Sequence, residues 1–131
     1  SLTTDVTIYM ANEAIERFHS TWARTAGRHC IEEALEQARD LTDLAEFGQQ
    51  VSFDTCALAC ELEPSCNGFS FETSLVDQLT YCYPKFIEER FREDPTLCSP
   101  QNGPAIDTYV LLDGARRRRQ RRERRRLDHP P

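Results

Sequence analysis

Residues 55–71 read Thr55-Cys56-Ala57-Leu58-Ala59-Cys60-Glu61-Leu62-Glu63-Pro64-Ser65-Cys66-Asn67-Gly68-Phe69-Ser70-Phe71, and Cys82-Tyr83 follows on a later segment. The Cys56-x3-Cys60 spacing places both sulfurs on one face of a short helix. Asp54 is the expected N-cap of a helix over 55–62, and Pro64 ends it. Pro64-Ser65 then turns the chain and returns Cys66 toward Cys60. Gly68-Phe69-Ser70-Phe71 and Thr80-Tyr81-Cys82-Tyr83 alternate with period two, so both predict strands. The rings of Phe69 and Phe71 are expected beneath the helix, with Cys82 on the neighbouring strand.

Outward from this centre, Val51–Phe53 reads as a short strand and Asp107–Leu112 as a third main strand. Residues 92–106 hold Pro95, Pro100, Pro104 and Gly103 and predict a loop. Upstream, Ile8, Ala11, Ile15, Phe18 and Trp22 recur at steps of three and four, predicting an amphipathic helix over 5–25, capped by Thr4 or Asp5 and stopped at Gly27. A second helix is expected over 31–47, with Ile31, Leu35, Ala38, Leu41, Leu44 and Phe47 on one stripe. Glu32, Glu33 and Glu36 lie in its first turns and Gly48 supplies a stop. Ile15, Phe18 and Trp22 are the anchors if the first helix presents an interface.

The chain has 131 residues, 39% hydrophobic and 29% charged, enough for one modest core. Six cysteines in this length indicate a disulfide framework and an oxidising compartment: secreted, cell surface or organelle lumen. Zinc prefers paired knuckles, and only Cys56/Cys60 has the spacing. An even cysteine count leaves no spare thiol for catalysis. His19, His29 and His129 stand at no ligand spacing and are expected at the surface or at helix ends. No Gly-rich phosphate loop or nucleophile elbow occurs, and no carboxylate pair stands out. The sequence therefore reads as a non-enzyme with no cofactor and no metal. The longest apolar run, Tyr109–Leu112, is strand-sized, so no transmembrane segment is expected. Asn12, Asn67 and Asn102 start no glycosylation sequon. No apolar leader follows Ser1-Leu2, and a targeting peptide is expected to have been removed or left out.

Residues 55–71 with Cys82 resemble the central helix–turn–strand of the PAN/apple family. The resemblance extends more loosely over 49–113. It implies an α+β fold, a small disulfide-rich PAN/apple-like domain with a helix packed on a curved antiparallel sheet, here preceded by the two amphipathic helices. It also implies the pairs Cys56–Cys82 and Cys60–Cys66, chosen from the 15 pairings that six cysteines allow. Apple domains add an outer bridge, for which Cys30 and Cys98 are the candidates, although Cys98 precedes the expected last strand and the family's last cysteine follows it. Three segments result: a helical extension over 1–48, the PAN/apple-like domain over 49–114 and a tail over 115–131. Members of the family bind proteins or carbohydrates, so the implied function is a binding or adhesion module in a larger extracellular or lumenal assembly. A structural accessory subunit of a membrane complex, held by its helices and tail, is the alternative.

Charge separates along the chain. Residues 1–114 carry 20 Asp/Glu against 7 Lys/Arg (about −13), and residues 115–131 carry nine arginines against Glu123 and Asp128 (about +7), which together give the net −6. Arg116, Arg117, Arg118, Arg119, Arg121, Arg122, Arg124, Arg125 and Arg126 form the run. It reads as a docking arm for an acidic partner surface, ahead of a solvated disordered tail or a processing site, since 119–122 and 122–125 resemble sites of basic-specific convertases. Protein partners with an acidic face, with carbohydrate as the alternative ligand, are expected within a hetero-complex. Nucleic acid is not favoured, because disulfides place the chain away from it.

Overall fold

The computed structural model describes residues 21–74, 78–101 and 105–128. These contain strands β1 (Trp22–Ala26), β2 (Arg28–His29), β3 (Ala38–Asp40), β4 (Gly68–Thr73), β5 (Thr80–Ile87), β6 (Ser99–Pro100) and β7 (Ala105–Leu111). They also contain helices α1 (Phe53–Leu62), α2 (Glu89–Glu93) and α3 (Asp113–Asp128), with a 3-10 turn at Pro95–Leu97. Five strands form one sheet in the order β1-β7-β4-β5-β3, and β2 pairs with β6 separately. β3 pairs with β5, β4 with β5, β4 with β7, and β2 with β6, all antiparallel. The fold is thus a small α+β arrangement with an antiparallel sheet, a helix and three disulfides.

The chain divides into two compact units, one of Arg24–Val110 and one of Ser1–Ala23 with Leu111–Pro131. In the larger unit, α1 starts where the Ser52 hydroxyl accepts the Thr55 N–H at 3.2 Å, two residues before the expected cap Asp54. The expected strand at 51–53 is therefore the entry to the helix. Cys56 and Cys60 are the buried residues of α1, one turn apart. Beneath them Phe53 packs against Phe69, Phe71 and Tyr109, with ring centroids 4.9–5.6 Å away. Phe69 and Tyr109 stack across the β4–β7 register at 5.0 Å. Aromatic pairs in such geometries add about 0.5–1.5 kcal/mol each beyond area burial.

The other residues of β4 alternate to the second face of the sheet. There Cys30, Ala38, Ile87, Phe91, Cys98 and Val110 form a buried cluster. The Thr108 hydroxyl donates to the Arg28 carbonyl at 2.7 Å and lies 3.0 Å from Ser70 Oγ, so the Ser70 hydroxyl donates to it. Gly68 sits at the tightest point. A Cβ there would press on the Ile87 side chain and come within 2.8 Å of the Tyr109 carbonyl oxygen.

Three disulfides fasten the unit: Cys30–Cys98, Cys56–Cys82 and Cys60–Cys66, with Cα separations of 4.8, 5.7 and 5.2 Å. All six sulfurs are paired.

The upstream helices need correction. Residues 5–20 lie outside the described residues, and the end of the first expected helix, from Trp22 onward, is strand β1. Gly27, the expected stop, takes φ 69° in the turn between β1 and β2. The second expected helix, 31–47, is a set of turns around β3. Glu33, Leu35 and Glu36 have φ of 69°, 56° and 56°, which a right-handed helix cannot contain. Tertiary pairing explains the outcome. Cys30 is tethered to Cys98, Ala38–Asp40 completes the free edge of β5, and the buried Gln37 side chain accepts the Ile31 N–H at 3.0 Å. The periodicity survives only as successive i→i+3 turns, Leu44 to Leu41 and Phe47 to Leu44. Residues 24–48 therefore belong to the unit that holds the sheet. The loop expected over 92–106 contains the end of α2, the 3-10 turn and β6.

The smaller unit's described part comprises Thr21–Ala23 and Leu111–Asp128. In it the Leu112 N–H donates to the Thr21 carbonyl at 2.9 Å, and α3 opens with Asp113 near Arg116 at 3.8 Å.

Cys30–Cys98 spans 68 residues, the longest separation of the three bridges. Replacing both cysteines with alanine is expected to lower unfolding free energy by about 4 kcal/mol, the chain-entropy value for such loops. Denaturant titration of the full chain measures this directly; a loss below about 1 kcal/mol would show that the β2–β6 ribbon and Gln37 hold the second face without it.

Candidate interaction surfaces

Three places in the described structure carry polar or exposed groups that the frame does not fully absorb. The first is at the β3–β5 edge. Asp40 stands opposite Lys85 in the antiparallel register, and the Lys85 ammonium bonds the Asp40 carboxylate. The Lys85 side chain is 1% exposed and Asp40 20%. Burial pushes the Lys85 ammonium below its ordinary value, and the bond to Asp40 opposes that shift. The ammonium also lies 6.0 Å from the centre of the Tyr83 ring. Tyr83 receives His29 edge-on at 5.7 Å and Phe47 at 5.7 Å.

His29 is therefore not at the surface or at a helix end, as the sequence suggested. It lies in β2, partly buried, with its value held down to about 4, first by desolvation and then by the Lys85 charge, while Asp40 acts the other way. Its Nδ1 is buried with no hydrogen-bond partner among the described residues. The neutral imidazole is the form that fits this site. Nearby, the Asn67 side chain donates to the Ile87 carbonyl at 2.9 Å and accepts the Ile87 N–H at 2.6 Å, substituting for one rung of the β-ladder. These groups serve packing and pairing.

Outside this edge lies a cleft of about 360 Å³ lined by Arg39, Asp40, Thr42, Asp43, Glu63 and Ser65, among others. The Ser65 hydroxyl donates to Glu63 Oε1 at 2.8 Å, a local turn bond, and no histidine lines the cleft to act as its base. Arg39 is drawn over the Phe86 ring at 5.9 Å. Among the described residues no group of three His, Cys, Asp or Glu side chains is placed to hold a metal ion.

The second place is the outer side of α1, where Leu58 and Leu62 are 53% and 68% exposed one turn apart. The third is α3. The segment 115–131 was expected as a tail, docked, solvated or processed; in the structure Asp113–Asp128 form a helix of 16 residues. Arginine is a good helix former, and Glu123 stands four residues after Arg119, at pairing distance along a helix. Leu112, Ala115, Arg116, Arg119 and Glu123 are the less exposed positions, and Arg117, Arg118, Arg121, Arg122, Arg124 and Arg125 are exposed. At about 100° per residue these two sets occupy opposite sides of the helix. The side chain of Arg126 lies outside the description.

Of the other expected interface residues, Ile15 and Phe18 are outside the described residues. Trp22 is 4% exposed in a strand, so it presents no open helical anchor. Sequence reasoning missed Lys85, Asp40 and the Tyr83–His29 contact. A lysine in an alternating strand signals a solvent face, and only the cross-strand register reveals its buried carboxylate partner.

Compared with protein-family models, curated proteins and solved structures, the chain has no significant match. No helix among the described residues is long and apolar enough to cross a membrane.

Two outcomes follow from the β3–β5 edge. Because His29 is lowered from 6.5 to about 4, its contribution to stability is full above pH 6.5 and is lost as pH falls toward 4. After allowance for its partial exposure, that contribution is about 2 kcal/mol. His29→Phe is expected to remove this slope, so the difference in unfolding free energy between variant and parent should change between pH 6.5 and 4; a constant difference would refute the assignment. Asp40→Ala leaves the Lys85 ammonium buried without its carboxylate and is expected to cost about 3 kcal/mol at neutral pH. Thermal unfolding of that variant beside Lys85→Met, which removes the charge, should show the methionine variant as the more stable of the two.

Proposed function

We propose that the chain is a non-enzymatic binding module of PAN/apple type, mediating protein or carbohydrate interaction within a larger extracellular or lumenal assembly. The observation that carries this reading is the bridge pattern: Cys30–Cys98 encloses Cys56–Cys82, which encloses Cys60–Cys66, around a helix laid on an antiparallel sheet. The two inner bridges are those the resemblance at 55–83 implies, and the outer one joins the two candidates for the apple domain's third bridge, although Cys98 precedes the last strand where the family's last cysteine follows it. Such bridges form and persist where the surroundings are oxidising, which supports a secreted, cell-surface or lumenal setting.

Attachment suits the distribution of side chains. The polar groups with the strongest environments, Lys85, Asp40, Asn67 and Ser70, are engaged in holding the sheet. Among the outward groups, the leucine pair of α1 and the arginines of α3 suit attachment. A structural accessory subunit of a membrane complex remains the second reading, favoured by the helical order of the arginine run, which suits a fixed place against an acidic neighbour.

Leu58→Ser together with Leu62→Ser is the direct test. Both side chains are exposed, so stability should change by less than about 0.5 kcal/mol. Affinity isolation of the full chain from its native source after cross-linking is expected to recover a partner, and the double variant should lose most of it. Recovery in fixed stoichiometry with a membrane complex would support the accessory-subunit reading. Free thiols in non-reducing peptide maps of the native protein would overturn the PAN/apple reading itself.

A further inference from the structure

We infer that the exposed arginine face of α3 is a binding surface for a linear sulfated polysaccharide. Arg117, Arg118, Arg121, Arg124 and Arg125 are all exposed. A rise of about 1.5 Å and a turn of about 100° per residue set these five within an arc of about 120° and a length of about 12 Å. The opposite side of the helix holds Leu112, Ala115, Arg116, Arg119 and Glu123, which are less exposed. The guanidinium groups are thus gathered on one side instead of spread around the helix, and no carboxylate interrupts the arc.

The chemistry of the arc selects among polyanions. A membrane-surface helix buries an apolar face beside its basic one, and α3 has no apolar stripe. A protein interface draws its energy from aromatic or aliphatic anchors at its centre, and the arc has none. Single-stranded nucleic acid is held by bases stacked on aromatic side chains, and α3 contains no aromatic residue. What the arc offers is a row of planar, permanently charged forks suited to paired oxygens on sulfate and carboxylate groups. Every basic residue of the run is arginine rather than lysine, which favours this two-pronged contact over a simple point charge. Duplex nucleic acid would satisfy the charge too, but the three disulfides place folding in an oxidising compartment, where acidic polysaccharides are the common extended polyanions.

This inference rests on the binding-module reading only in taking the chain to act by attachment; it does not use the PAN/apple resemblance, which stops at the first residue of α3, before the arginine run. The full, disulfide-intact chain would be applied to immobilised heparin and, separately, to a sulfopropyl resin of matched charge density, and eluted with sodium chloride. Elution from heparin at distinctly higher salt is expected, with heparin oligosaccharides competing at least about tenfold better than their desulfated forms. Equal salt for the two resins would reduce the face to an ion exchanger and overturn the inference. Tighter binding of duplex DNA or of polyglutamate than of heparin would overturn it in favour of a nucleic acid or an acidic protein. The variant with Arg117, Arg118, Arg121, Arg124 and Arg125 all replaced by glutamine keeps exposed, helix-compatible side chains, and circular dichroism with peptide mapping would verify its fold. It should bind heparin at least about tenfold more weakly. Unchanged heparin binding by that folded variant would overturn the assignment to α3, while the partner isolation with the α1 leucine variant continues to report on the binding-module reading independently.

Discussion

The Cys56–Cys82 bridge joins the first turn of α1 to the third residue of β5, and much of the larger unit is positioned by that fixed point. With the two Cα atoms 5.7 Å apart, the helix lies close enough for Phe53 to reach Phe69, Phe71 and Tyr109 on two strands. Cys82 stands opposite Phe71 in the register, so the bridge and the aromatic group share one face of the sheet. The backbone around the bridge is also in use, since the Gly48 N–H donates to the Cys82 carbonyl and Leu41 to that of Pro84. One strand therefore carries the helix on one face, β3 along its edge, and the turns of 41–49 at its side.

The second face obeys a different constraint. A small unit cannot leave both faces of a sheet to water, and here the cover is a two-residue ribbon, β2 with β6, locked by Cys30–Cys98. The ribbon is too short to bury much apolar area, so polar side chains complete the fit: Gln37, Ser70, Thr108 and Asn67, each buried and bonded. The Lys85–Asp40 pair belongs to this face as well. Its two residues stand directly opposite each other across the β3–β5 register, and a buried ion pair spends much of its attraction on lost hydration.

What was legible in the sequence was local. Cys56 and Cys60 one turn apart, Pro64 as a stop, and the alternation of Gly68–Phe71, Thr80–Tyr83 and Asp107–Leu112 each express a constraint within a few residues. The structure places α1, β4, β5 and β7 on those segments, with bounds moved by a few positions at most. Segment 31–47 was misread because its apolar spacing suits a helix, while its fate is set by partners far away in the chain: Cys98, the β5 edge and Ser99. His29 was misjudged and Lys85 missed for the same reason, as the charge and burial around each come from residues more than ten positions away. The arginine run was read as a tail, whereas arginine's helix propensity favours a helix and the exposure of most of its charges lets solvent screen their mutual repulsion.

The nesting of the three bridges also bears on how the chain acquires them. Cys30 emerges first during synthesis, and its partner lies 68 residues later. At common elongation rates of about 5–20 residues per second, Cys30 waits roughly 3–14 s while Cys56, Cys60 and Cys66 become available to it. Loop closure favours those nearer thiols, so the native outer bridge is the one that first-come pairing disfavours. Correct oxidation then depends on exchange: an early wrong bond at Cys30 has to be attacked by another thiolate and released. For a chain built this way, thiol–disulfide exchange matters as much as oxidation itself.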